Sequence, residues 1–134
     1  MTETIKDLDK LLKGMTPTLK PGVFVFVTAP ADAEPKKGIK PVMQFAEREG
    51  QTLILPVEEA EAYGLTGVFR SRWIELSVHS DLQAVGFLAA ITQALAKACV
   101  AVNAVSAFHH DHLFVPEDRA DTAMAILRAL AKGA

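Results

Sequence analysis

The sequence predicts a two-layer α+β sandwich, an antiparallel sheet with its helices packed on one face. From Arg72 to Leu130 the apolar periodicity switches in the order β-α-β-β-α. The strands in that stretch are apolar on one face, and each helix carries a single apolar stripe, so each layer must bury itself against the other. Upstream, Val23 to Leu55 holds short runs of β-branched and aromatic residues broken by Gly and Pro, the pattern of further strands. At 134 residues the chain suits one compact domain, or two half-size modules sharing a core.

Taken in order, Ile5, Leu8, Leu11 and Leu12 recur at helical spacing. Asp7 and Asp9 come early and Lys10 and Lys13 late, which complements the helix dipole, and Gly14 stops the helix. Thr16 to Gly22 reads as a connector. Val23 to Thr28 reads as a strand buried on both faces. Ala29 to Lys40, with two prolines, a glycine and mixed charges, reads as an exposed loop. Pro41–Arg48 and Gln51–Leu55 flank Glu49-Gly50 and predict a hairpin. Pro56 opens a short helix, Val57 to Tyr63, whose Glu58, Glu59 and Glu61 lie towards the favourable N-terminal end; Gly64 ends it. The first half is thus expected to run α-β-β-β-α.

In the second half, Ile74, Leu76 and Val78 alternate along one strand face. Trp73 lies on the opposite face with Glu75, Ser77 and His79, so the sequence requires something from the first half or a second subunit to cover it. Phe87, Leu88, Ile91, Leu95 and Ala98 form the stripe of one helix. Ala120, Ala123, Met124, Leu127 and Leu130 form that of a closing helix after Pro116.

Bulk properties exclude several function classes. A net charge of −2, with no Lys/Arg cluster among aromatics, argues against nucleic acid and anionic membranes as partners. No run approaches the length of a membrane span, and the N-terminus has no apolar core of signal-peptide length. A cytoplasmic protein is expected. The only cysteine, Cys99, permits no intramolecular disulfide and falls on a mostly apolar helix face, where a buried small hydrophobe is expected.

Two segments carry candidate chemistry. The first is the turn Ser80–Gly86 between strand and helix. Its unpaired backbone N–H groups suit a small anionic group, Asp81 suits an amino group, and Gly86 permits close approach. The alternative is an ordinary helix start with Ser80 or Asp81 as N-cap. The second is His109-His110-Asp111-His112, whose imidazoles and carboxylate are good metal ligands. Alternation along an extended chain lets His110 and His112 converge while His109 and Asp111 point away, so a further ligand would have to come from His79 or another acid. A polar hairpin tip is the simpler account. Catalysis finds little support. Ser77 and Ser80 flank His79 without a Gly-x-Ser-x-Gly elbow, and no glycine-rich phosphate loop is present.

The strand ending Leu76-Ser-Val-His79, the turn Ser80-Asp-Leu-Gln-Ala-Val-Gly86 and the segment Asn103–Pro116 together resemble the ACT domain, a small regulatory module that binds amino acids. The His-His-Asp-His-Leu-Phe-Val-Pro run is similar to a small bacterial ACT-like family without assigned activity. It is also similar to the hairpin of the ACT repeats in eukaryotic cytosolic arginine sensors. The resemblance implies tandem ACT-like, ferredoxin-like βαββα halves, with 1–68 a truncated N-terminal half and 69–134 the second. It implies a non-catalytic, ligand-sensing homodimer without cofactor or metal, read out through a separate effector protein. Effector contacts in that family lie on the turn, here Ser80, Asp81, Leu82, Ala84, Val85 and Gly86, and the arginine-sensor hairpins add contacts at His109 and Asp111. A metal-binding protein or metal-dependent enzyme built on His109–His112, and a protein–protein interaction module, are the other readings. ACT units usually close with a strand after the second helix, yet this sequence reaches Ala134 just past that helix. The strand must then come from the first half or be absent.

Overall fold

The computed structural model describes residues 8–31, 38–78 and 84–133. Their elements run, in chain order, α1 (Leu8–Lys13), β1 (Thr16–Leu19), β2 (Phe24–Ala29), β3 (Met43–Ala46), β4 (Gln51–Pro56), α2 (Val57–Ala62), β5 (Val68–Ser77), α3 (Phe87–Lys97), β6 (Asn103–Ser106), β7 (Asp111–Pro116), a 3-10 turn (Glu117–Arg119) and α4 (Ala120–Ala131). They form two compact units. One gathers residues 22–71, the other residues 1–21 with 72–134. Strand β5 contributes its first residues to the former and the remainder to the latter.

In the 22–71 unit, β4 is central to a three-stranded antiparallel arrangement. It pairs with β2 from Phe24↔Pro56 to Ala29↔Gln51 and with β3 from Met43↔Ile54 to Ala46↔Gln51. The β3–β4 hairpin predicted from sequence is present, with mutual backbone hydrogen bonds between Glu47 and Gly50 closing its turn. β2 also pairs with the start of β5, where the register slips by one residue between Phe24↔Ser71 and Phe26↔Val68. Phe69, at φ 59°, takes up the extra residue as a bulge. Val25, Val27, Leu53, Leu55 and Ala60 form this unit's core beneath α2. β2 is not buried evenly on both faces: Phe26 is half-buried and Thr28 exposed, because the helical layer covers one face only.

The second unit takes its sheet from the rest of β5, flanked by β7 and then β6 on one side and by β1 on the other. β6 and β7 form a hairpin paired from Asn103↔Phe114 to Ser106↔Asp111. β1 pairs antiparallel with β5 from Thr16↔Ser77 to Leu19↔Ile74. The segment expected to be a mere connector therefore holds a strand. Its Pro17 lacks an N–H, which an edge strand tolerates. β1 stands where the closing strand of an ACT unit belongs, so the first half supplies the strand expected after α4.

Ile74, Leu76 and Val78 of the β5 side, with Leu113 and Val115 of β7, face α1, α3 and α4 in one apolar core. The predicted stripes hold: Phe87, Ile91 and Leu95 of α3 and Ala120, Ala123, Met124 and Leu127 of α4 are buried there, with Leu130 packed at the margin. Cys99 departs from expectation, being exposed. α3 ends at Lys97, and the chain reverses at Cys99 with φ 59°, so Val100 takes the buried position instead.

Candidate functional site

At the end of β5 an open cleft of about 400 Å³ is lined by Gly14, Ser77, Val78, His109 and His110. Three segments of one unit meet there. Gly14 closes α1, its N–H donating to the Lys10 carbonyl at 2.9 Å. Ser77 and Val78 lie where β5 ends, Val78 turned into the core and the Ser77 hydroxyl donating to Glu75 Oε2 at 3.3 Å. His109 and His110 belong to the tip of the β6–β7 hairpin, which tightens after Ser106↔Asp111 through a 3.0 Å hydrogen bond from Ala107 N–H to the His110 carbonyl. The size of the cleft falls in the ordinary range for small-molecule sites.

The tip is joined to the sheet by aromatic and imidazole contacts. Trp73 Nε1 donates to His112 Nδ1 at 2.9 Å, with the two rings 5.6 Å apart. Trp73 also stacks on Phe114 at 6.1 Å and carries Lys20 Nζ 5.3 Å above its ring. Lys20 from the first half, with His112 and Phe114, thus provides cover that the sequence demanded for Trp73. The His112 and His110 rings meet edge-on at 6.5 Å, and Phe108 lies edge-on to His109 at 5.0 Å. Burial lowers the His112 pKa below its ordinary value; Glu75 and Asp111 oppose the shift, while His110 and Lys20 add to it. His110 Nδ1 is buried and has no hydrogen-bond partner among the described residues.

Of the turn positions expected from sequence, Ser80, Asp81 and Leu82 lie outside the described residues, as does His79. Ala84 packs against the core, and Val85 is 84% exposed. Gly86, at φ 93°, is itself the N-cap of α3, with no side-chain cap hydrogen bond. The capping role considered for Ser80 or Asp81 therefore falls away, since the helix starts at Phe87. On the hairpin, His109 lines the cleft, whereas Asp111 sits half-buried at the foot of the tip, opposite Ser106. Sequence reasoning weighed His110 only as a metal ligand and Ser77 only beside His79; it placed neither of them, nor Val78 or Gly14, at a small-molecule cleft. Ser77 and Val78 had a usable signal, since they end the strand that leads into the turn; Gly14 had none.

Among the described residues no three His, Cys, Asp or Glu side chains converge as metal ligands would. His112 Nδ1, one of the two ring nitrogens that could bind a metal, already accepts the Trp73 N–H. Among the described residues, no helix is long and apolar enough to cross a membrane.

The ACT domain matches the sequence twice, over residues 3–72 and over residues 68–129. The chain belongs to the ACT-domain family. A crystal structure of a Vibrio cholerae protein of unknown function, described as a possible transport protein, is similar to this ACT protein at 36% identity and a TM-score of 0.85, with 95% of this chain and 98% of that one covered. An Agrobacterium tumefaciens protein aligns at 14% identity and a TM-score of 0.70, covering 87% and 89% of the two chains. The ligand-free regulatory subunit of aspartate kinase from Thermus thermophilus aligns at 11% identity and a TM-score of 0.59, covering 87% and 98%. The last two likenesses show a shared fold. No curated protein matches by sequence.

Proposed function

We propose that this ACT protein reversibly binds an amino acid or a closely related metabolite without chemistry, and passes its occupancy to a separate effector protein. The observation that carries this reading is the convergence of the hairpin tip on the end of β5, at the cleft lined by Ser77, His109 and His110. On this reading the turn that follows Val78 in the chain supplies Ser80, Asp81, Leu82, Ala84, Val85 and Gly86, with His109 and Asp111 from the hairpin. The Thermus thermophilus neighbour is a regulatory subunit of aspartate kinase, which supports a regulatory rather than catalytic role. In the same reading residues 1–68 and 69–134 are the two ACT-like halves, and the protein works as a cytoplasmic homodimer. Occupancy acts by linkage: a ligand that prefers one arrangement shifts the population towards it.

The test is thermal unfolding against a panel of the common L-amino acids, with and without EDTA. A ligand at a hundredfold excess over its Kd stabilises the folded state by roughly 2.7 kcal/mol, raising the midpoint of a chain of this size by about 10 °C. One amino acid should give such a shift, and Asp81→Ala and His109→Ala should each remove most of it. A panel without any shift would overturn the reading, and a midpoint lowered by EDTA alone would transfer the hairpin to metal binding.

A further inference from the structure

The hydrogen bond between Trp73 and His112 has a fixed polarity. An indole N–H can only donate, so His112 Nδ1 must accept, and the neutral ring carries its proton on Nε2. Protonation would place a second donor on Nδ1, facing the Trp73 N–H across 2.9 Å. The bond would be lost and replaced by donor–donor repulsion. An alternative gain, with imidazolium resting on the indole face, is already opposed there by Lys20 Nζ 5.3 Å from the ring centroid.

We infer that the Trp73–His112 pair is a proton-operated latch that sets the hairpin tip at the cleft, closed when His112 is neutral and released when it is protonated. His112 lies two residues from His110, whose ring it meets edge-on and which lines the cleft. The hydrogen bond ties the β6–β7 hairpin to β5, four residues before Ser77 at the cleft's other wall. A change in the His112 ring therefore reaches the hairpin wall through the neighbouring His110 ring and the β5 wall along the strand from Trp73.

The charged and titratable groups around His112 are Glu75 from β5, Lys20 just after β1, and His110 and Asp111 from its own hairpin. The carboxylates favour the cation; burial, Lys20 and His110 oppose it, and the balance lowers the pKa from 6.5. The latch is thus closed at pH well above the lowered native value and opens as the pH falls through it. Titration of the latch is independent of any ligand. Its consequence for affinity rests on the proposed binding function: a ligand seated against His109 and His110 should bind more weakly at acid pH.

Trp73 is the only tryptophan, so intrinsic emission of the whole chain reports the pair directly. Emission followed from pH 8 to pH 4.5 should show a one-proton step with its midpoint below 6.5. The His109 and His110 amide resonances should follow the same midpoint. In His112→Asn the side-chain oxygen stands in for Nδ1 as acceptor without titrating, and the step should vanish. Should that variant fail to fold, Trp73→Phe keeps a ring in place but removes the donor. The His112 imidazole resonances should then titrate closer to 6.5 than in the wild type. A step that survives His112→Asn, a His112 midpoint unmoved by Trp73→Phe, or tip amides that ignore the step would each overturn the latch. L-aspartate, L-arginine and L-leucine serve as ligand probes. A bound probe that weakens with acid in the wild type but not in His112→Asn supports the latch; one whose affinity ignores pH overturns its link to the cleft. No binding by these or the remaining common L-amino acids, alongside intact titrations, overturns the binding function and leaves the latch supported.

Discussion

Cys99 stands in the left-handed region at φ 59°, immediately after the C-cap of α3. The Cys99 N–H donates to the Ala96 carbonyl at 2.9 Å and the Val100 N–H to the Leu95 carbonyl at 3.0 Å, while Val100 and Leu95 are both buried in the core. This is a helix end closed by a left-handed residue and sealed by an apolar contact, where glycine is the favoured occupant. An L side chain there costs about 1 kcal/mol, and Cys99 is exposed, so its thiol contributes little packing in return. Cys99→Gly should therefore stabilise the protein by about 1 kcal/mol, offset in part by the greater freedom of glycine in the unfolded chain. Urea unfolding monitored by circular dichroism would measure it; a loss of stability would mean that the side chain packs. The helical stripe read from sequence was right through Leu95 and Ala98, and it failed one residue later. Apolar spacing does not reveal where a helix stops when no glycine marks the end. The site shows the same limit. His109 could be read as a hairpin residue, but the Trp73–His112 hydrogen bond joins residues far apart in sequence, and no local pattern announces it.

Elements with strong periodicity were legible: α3, α4, the β3–β4 and β6–β7 hairpins, and the short helix after Pro56. β1 was not. Thr16-Pro17-Thr18-Leu19 has a proline and no apolar alternation, and becomes a strand because the edge of β5 offers partners. Tertiary context, rather than propensity, made that element. α1 is the opposite case, a helix visible in sequence but far too short to be stable alone. It is held by Leu11, fully buried with Met15 against the core of α3 and α4. Leu11→Ala should cost roughly 2–5 kcal/mol, the range for emptying a buried leucine site. Because α1 ends at Gly14, on the rim of the cleft, the variant should also weaken any ligand by more than a comparable cavity placed away from the cleft. Leu53→Ala in the 22–71 core is that comparison, and chemical denaturation with parallel ligand titration separates the two effects. Equal losses of affinity would place α1 outside the site.

Across the whole molecule, the unit containing the cleft draws on two separate stretches of the chain: α1 and β1 come first, and the remainder of β5 with α3, β6, β7 and α4 follows from residue 72. The pairing of β1 with β5 could not be read from the sequence, since strand pairing across some 60 residues leaves no local trace. The arrangement makes a definite prediction about order of connection. Residues 69–134 alone lack β1 and α1, leaving the β5 edge unpaired and the places of Leu11 and Met15 in the core empty. A naked strand edge beside an open core favours association, so this fragment should aggregate or melt without cooperativity. Moving residues 8–20 to a position after residue 134, through a short Gly/Ser linker, should restore a cooperative melt. A Cβ built at Gly133 would lie 3.6 Å from the side-chain end of Lys13, at the C-terminal end of α1, so the linker has to run back along that helix to Leu8. The permuted order is β-α-β-β-α with α1 and β1 appended, so β1 then comes after α4 as the closing strand of an ACT unit does. Cooperative unfolding of the permuted fragment, with dispersed amide resonances, would show that this unit carries its own stability. If only the full chain folds, the 22–71 segment is needed for more than covalent connection.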